Sequence, residues 1–215
     1  MVLHQLGKSA GVVSYRPGAF RYYEGICDIG TIMHLVCAWL ALLAAPFWET
    51  KAPSDWTDAQ IERLLHDSPW AQMADPAPAV QVYLATARPL REAEAELARR
   101  HGKPLNEEYV DYVSQEGANK VVVAIAYQDW TALADGEEAH RMEEESIMQV
   151  GRQRYKMEGH FPPVPSDPFL RLVYPRVETE RDKTIVFELY LPGYGPYHEA
   201  EFRVRDMKYK GKLEM

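Results

Sequence analysis

His140 has the neighbours best suited to chemistry. On a helix, Glu137, His140 and Glu144 fall at i, i+3 and i+7 and so share one face. Carboxylates with an imidazole make a competent ligand set for zinc or iron. A diiron carboxylate site needs a second Glu-x-x-His, which the chain lacks, and the His-Glu-x-x-His of zinc peptidases is missing too. Glu138, Glu143 and Glu145 crowd the same stretch. A solvated acidic helix face with a lone histidine is therefore the preferred reading, and Glu137, His140 and Glu144 stand beside it as metal candidates.

Nucleophilic chemistry has less to work with. Beyond residue 45 the serines are Ser54, Ser68, Ser114, Ser146 and Ser166, and none lies in Gly-x-Ser-x-Gly. Ser68 precedes Pro69 at the end of a helical pattern, where a hydroxyl satisfies backbone more often than it attacks a carbonyl. Both cysteines, Cys27 and Cys37, fall within residues 1–45, so the rest of the chain has no thiol chemistry, disulfide or cysteine metal site. Glycine-rich phosphate loops are absent, and no cofactor is expected. The formal charge of -8 makes nucleic acid and anionic membrane surfaces poor partners.

Softer signals favour structure over function. Trp48, Trp56, Trp70 and Trp130 would form a stacking platform if exposed together, but tryptophans in a small domain mostly fill its core. Lys208, Lys210 and Lys212 alternate, as lysines do on a terminal strand that must not pair with another chain. Pro162, Pro163 and Pro165 mark an extended connector rather than a polyproline ligand.

Several elements must position these groups. Thr57 with Gln60 makes a capping box, Trp56 and Ile61 a hydrophobic staple, and Ile61, Leu64 and Leu65 an apolar stripe, all predicting a helix that stops at Pro69. Residues 74–79 read as a proline-containing linker, and Val80, Val82 and Leu84 as a half-buried strand. Pro89 opens a helix that closes at Gly102, and Asn106 and Gly117 bracket another. KVVVAIAY, residues 120–127, has the continuous apolar character of a strand covered on both faces. A helix is expected around 137–150. Strands are expected over 169–174, 184–191 and 197–205, with a one-residue slip of the apolar phase after Arg205. This order predicts an α+β fold: a mostly antiparallel sheet with helices largely on one face and a C-terminal β-meander.

Residues 32–47, IMHLVCAWLALLAAPF, hold no charged side chain and fall short of the roughly 20 apolar residues that span a membrane. Their length and small residues suit the apolar region and cleavage zone of a signal peptide. The chain thus divides into a leader over 1–45, an over-extended start plus signal peptide, and a single α+β domain over 46–215. That domain would be exported, periplasmic or secreted, with no stable membrane insertion after processing. The leader holds three basic and two acidic residues, so the remainder is one unit more negative than the whole chain's -8.

Trp56-Thr57, Leu64-Leu65 and Ser68-Pro69-Trp70-Ala71, together with the ending Asp206-Met207-x-Tyr209-x-Gly211-x-Leu213, resemble a group of uncharacterised exported proteins from soil bacteria of the acidobacterial kind. The resemblance implies a bacterial, exported setting and brings no activity or site residue with it. The expected function is a non-enzymatic envelope or secreted protein that binds a partner, the partner itself being unknown, with an envelope protein the natural candidate. The alternative is a metal-dependent hydrolase built on His140 and its neighbouring glutamates.

Overall fold

A computed structural model describes residues 45–179, 183–195 and 197–215, and every side chain among them except that of Trp130. The expected leader, residues 1–45, lies outside the described residues apart from Ala45.

The first elements wrap aromatic side chains onto the core. A short helix α1 (Phe47–Thr50) and a 3-10 turn (Pro53–Asp55) lead to helix α2 (Asp58–His66). Thr57 caps α2, its hydroxyl accepting from the Gln60 amide at 3.2 Å while the Gln60 side chain accepts from the Thr57 amide at 3.0 Å. Ile61, Leu64 and Leu65 on this helix are all buried. Phe47 meets Trp48 and Trp56 edge-on, and Trp48 meets Trp70 at 6.0 Å, so three of the four tryptophans pack inward. The fourth, Trp130, has no described side chain.

Strands β1 (Ala71–Ala74) and β2 (Val80–Leu84) follow, then helices α3 (Arg88–His101) and α4 (Glu107–Glu116) and strand β3 (Lys120–Ala126). Gly102 ends α3 at φ +62°, the left-handed conformation a residue without Cβ adopts freely. The Asn106 side chain caps α4 by accepting from the amides of Glu108 and Tyr109. Two sequence expectations fail here. The linker over 74–79 begins with the end of a strand, β1, which pairs antiparallel with β2 from Ala71↔Tyr83 to Ala74↔Val80. Strand β2 is buried at all five positions rather than half-buried. Gln81, polar and expected outward, lies under α2 and donates its amide to the Leu65 carbonyl at 2.8 Å.

Short helix α5 (Trp130–Leu133) precedes helix α6 (Gly136–Glu145), then β4 (Ile147–Val150), β5 (Gln153–Lys156), β6 (Gly159–Phe161) and β7 (Phe169–Pro175). The helix expected over 137–150 therefore stops at Glu145. Residues 147–150 pair with β5 on one side and with β8 on the other. Two backbone ladders outweigh the weak helical preference of Ile147 and Val150. The C-terminal third runs as β8 (Thr184–Leu189), β9 (His198–Arg203), β10 (Lys208–Tyr209) and β11 (Lys212–Leu213). The phase slip after Arg205 is a new two-stranded ribbon, with Lys210 and Gly211 at positive φ in its turn. Lys210 thus leaves the strand, and Lys208 and Lys212 flank its turn.

The protein is α+β, and every sheet pairing among the described residues is antiparallel. One sheet has the order β1-β2-β3-β7-β6, the other β5-β4-β8-β9. Helices α2, α3 and α4 contribute partners to one face of the first sheet, through Gln81, Tyr83 and Ala85. Its opposite face meets the second sheet, where Tyr174 of β7 packs on Phe187 of β8 at 5.3 Å. A backbone bridge between Asp75 and Glu199 links the two sheets at one corner. Among the described residues no helix is long and apolar enough to cross a membrane.

Candidate functional site

Arg171 occupies the middle of β7, inside the apolar run Phe169–Tyr174, with none of its surface exposed. Its register places it opposite Ala124 of β3, which faces Tyr83 of β2, while Phe161 of β6 flanks it on the other side. Side chains in such a transverse row share one sheet face. Here that is the face under the helices. Ala124 carries only a methyl group, so the phenol of Tyr83 and the guanidinium of Arg171 stand on either side of a low point in the sheet surface.

Two carboxylates converge on this guanidinium. Glu94, 4 % exposed, reaches down from α3 and brings Oε1 to 2.7 Å from Arg171 Nη1. Asp167, 2 % exposed, takes both its oxygens to Nη2, at 3.1 and 3.0 Å. The Nη1–Oε1 approach is short but off the line of a good hydrogen bond, so charge attraction carries it. Tyr83 donates its hydroxyl to the same Glu94 oxygen at 2.7 Å. The Tyr109 ring lies 4.0 Å from the guanidinium carbon, a cation–π contact. Asp167 also accepts from the Asn106 amide at 3.1 Å, tying the proline-rich connector to the start of α4. That connector is pinned by paired backbone bonds between Val164 and Asp167, both 2.9 Å.

Burial sets the electrostatics. It raises the Glu94 carboxyl above its ordinary value, and Arg171 and Tyr83 only partly offset it. Burial, with Glu94 alongside, pushes the Tyr83 phenol well above 10.0. Desolvation works against the Arg171 charge, but Glu94, Tyr83, Tyr109 and Asp167 outweigh it and keep the guanidinium protonated. Two acids thus answer one base where little solvent reaches.

A cavity of about 300 Å³ opens over this cluster. Leu65, Leu97, Leu105 and Phe169 give it apolar walls, and Glu94 and Asp167 form its deep end. Exposed His101 and Lys103 line its outer end, beside Glu62 of α2. Its volume lies at the lower end of the range of about 300–1,000 Å³ seen for small-molecule sites. Larger hollows of about 510 and 600 Å³ lie near Arg176 and near Lys183, and neither is lined by a buried charged side chain.

The metal candidates lie elsewhere, on α6. His140 Nε2 is 3.8 Å from Glu144 and Nδ1 is 3.9 Å from Glu143, while Glu143 also approaches His160 of β6 at 3.2 Å. Glu137 sits in the first turn, its amide donating to the Asp135 cap. His140 and Glu144 are 68 % and 61 % exposed, so this is a solvated helix face. Among the described residues, no three His, Cys, Asp or Glu side chains are placed to hold a metal ion. Ser68 accepts from the Trp70 amide at 3.3 Å, in the backbone-capping role its position implies.

A second buried group is His198 at the head of β9, with no exposed surface. Desolvation lowers its pKa below 6.5, against a partial offset from the backbone of Tyr194 and Pro76. Among the described residues neither ring nitrogen has a well-formed hydrogen bond, and the ring meets Tyr194 edge-on at 6.2 Å.

No family model, curated protein or solved structure matches this chain. The chemistry of the site is therefore read from its own side chains.

The cluster is not announced in the sequence, although two of its members leave a trace. Arg171 is the one charge within FLRLVY, and Glu94 lies on the apolar stripe of α3, four residues after Leu90 and three before Leu97. A charge on an apolar face is a buried-pair signal. Asp167 left no trace, because nothing local distinguishes it from any acid in a turn.

Proposed function

We propose that this chain is an exported, non-enzymatic binding protein that takes a small, largely apolar molecule into the cavity beneath α3. The carrying observation is the cavity itself: apolar walls closing onto a fixed, buried polar end. That combination suits binding, since the walls favour a hydrocarbon body and the polar end fixes its orientation. Catalysis has no comparable support. Every titratable side chain at the deep end is engaged with another member of the cluster, and the nearest serine, Ser166, has no base paired with it in the described contacts. Export is supported by the uncharged run over residues 32–47 and by a thiol-free remainder, and an envelope partner remains the natural recipient or donor of the ligand.

Calorimetric titration of the full chain with hexan-1-ol tests the binding reading. Saturable binding is expected, with a rise in melting temperature that follows ligand concentration. Leu105→Trp, which fills the cavity from its partly exposed wall, should abolish both effects while leaving the far-ultraviolet circular dichroism unchanged. A native chain that binds neither this alcohol nor its amine or acid counterpart would sink the proposal.

The metal-dependent hydrolase remains a second reading, favoured by one observation. Glu143 bridges toward both His140 and His160, which brings a histidine from a separate strand to the acidic face. Elemental analysis of the purified chain and of His140→Ala tests it. Stoichiometric zinc, iron or manganese, lost in the variant, would put the hydrolase first.

A further inference from the structure

The two oxygens of Glu94 are not equivalent. Oε1 takes both available partners, the Tyr83 hydroxyl and the Arg171 guanidinium, each at 2.7 Å. Oε2 is buried and, among the described residues, has no hydrogen-bond partner, and the same holds for Nε and Nη1 of Arg171. A buried carboxylate oxygen left unmatched is destabilising, and more so when it is charged. Native structures rarely tolerate such an atom without a purpose. Glu94 contributes to the cavity wall, and although Oε2 itself is closed to solvent in this conformation, a small shift of the carboxylate would present it to a group standing in the cavity.

Charge balance defines that partner further. Arg171 supplies one positive charge, and Glu94 and Asp167 supply two negative ones, all within the buried cluster. Asp167 spends both its oxygens on Nη2 and one of them also on the Asn106 amide, so its charge is well matched. The unmatched negative charge is therefore that of Glu94. Tyr83 and Tyr109 cannot relieve it as acids, since burial raises both phenols. The remaining titratable groups on the cavity, Glu62, His101 and Lys103, belong to its outer end, where water screens them. A ligand that brings one positive charge to the deep end, with hydrocarbon behind it, meets the conditions set by Glu94 and by the apolar walls. Tyr83 and Phe169 also line the cavity, and aromatic rings there favour an ammonium group over a carboxylate.

We infer that the ligand of this cavity is a small primary amine with an apolar body, its ammonium group donating to Glu94 Oε2. This inference rests on the proposal that the cavity is a binding site and adds the chemical class of what it binds. An ammonium there turns the cluster into two acids and two bases, neutral as a whole. It also holds Glu94 ionised, so binding releases whatever proton the free carboxyl carries and strengthens as pH rises.

The test compares three six-carbon probes on the full chain by calorimetry: hexylammonium, hexan-1-ol and hexanoate. The amine should bind at least about tenfold more tightly than the alcohol, with hexanoate weakest. Glu94→Gln, which keeps the shape of the side chain, should bring the amine-to-alcohol ratio down to within about twofold of unity. If that variant does not fold, the wild-type ratio measured across pH carries the same test, and it should fall as pH falls. An alcohol or acid that binds as tightly as the amine would overturn the ammonium assignment and leave the cavity as a binding site. Failure of all three probes would overturn both.

Discussion

Arg171 and Glu94 meet at 2.7 Å with both side chains closed off from solvent, one from the centre of β7 and the other from α3. The pair joins helix layer to sheet, and Asp167 extends it to the connector that leads into β7. Its two members are nonetheless unequal. Arg171 serves two acids, whereas Glu94 is one of two acids sharing a base.

That inequality predicts opposite outcomes for two substitutions. Arg171→Met leaves two buried carboxylates without a counter-charge and should cost about 3–5 kcal/mol in denaturant unfolding. Glu94→Gln removes the surplus negative charge while Asp167 still faces Arg171, and should cost less than Arg171→Met. The sign follows from the raised Glu94 carboxyl: its folded form prefers the proton, so its contribution to stability is present at low pH and is lost as pH rises through its folded pKa. The decline should be absent in Glu94→Gln. Equal losses from both variants would show the cluster to be an ordinary balanced pair.

A second network responds to acid in the opposite sense. Glu96 accepts from Arg99 at 2.9 and 2.6 Å and from Arg100 at 2.7 Å, while Arg100 reaches Asp58 at 2.6 Å and the Trp56 carbonyl at 2.7 Å. Hydrogen bonds from Arg99, with Arg100 behind them, hold the Glu96 carboxyl down at about 2. A depressed carboxyl stabilises the fold above its unfolded value and loses that contribution as pH falls from 4.5 toward about 2. Denaturant midpoints measured through this window should fall in the wild type and fall less steeply in Glu96→Gln.

His198 sets a third, higher window. Buried neutral, it titrates below 6.5 in the fold, so the unfolded chain binds its proton first and stability drops as pH falls below 6.5. His198→Leu should lose little at neutral pH, since no well-formed hydrogen bond among the described residues is given up, and should flatten the decline. A variant with the same pH slope as the wild type would remove His198 from this account.

Gly193 offers a backbone test. It lies at φ +77° in the turn whose preceding carbonyl, that of Pro192, accepts from the Tyr127 hydroxyl at 2.7 Å. A methyl group there meets both a conformational penalty of about 1–2 kcal/mol and the Asp129 side chain. Gly193→Ala should therefore lower the melting temperature, and Gly195→Ala, which meets no neighbouring atom at φ +87°, should lower it less.

Local signals in the chain identified most elements correctly where one residue controls one bond. The Thr57–Gln60 capping box, the Asn106 cap and the Gly102 stop are all in place, because each depends on neighbours within a few positions. Errors arose where pairing with distant strands decided the outcome. Residues 147–150 are shared between helical spacing and two ladders, and Ala71–Ala74 is too short and mixed to announce a strand before β2 offers it an edge.

The chain alone determined the α+β class, the caps, the buried faces of the helices and a thiol-free stretch beyond residue 45, since composition and short-range periodicity carry those. Tertiary structure decided the site. Arg171, Glu94 and Asp167 come together because sheet register sets one residue opposite another, a helix crosses over that row and a proline-bound turn folds beneath it. Each is a contact between segments distant in sequence, and the energy of a buried charge depends on what surrounds it in space.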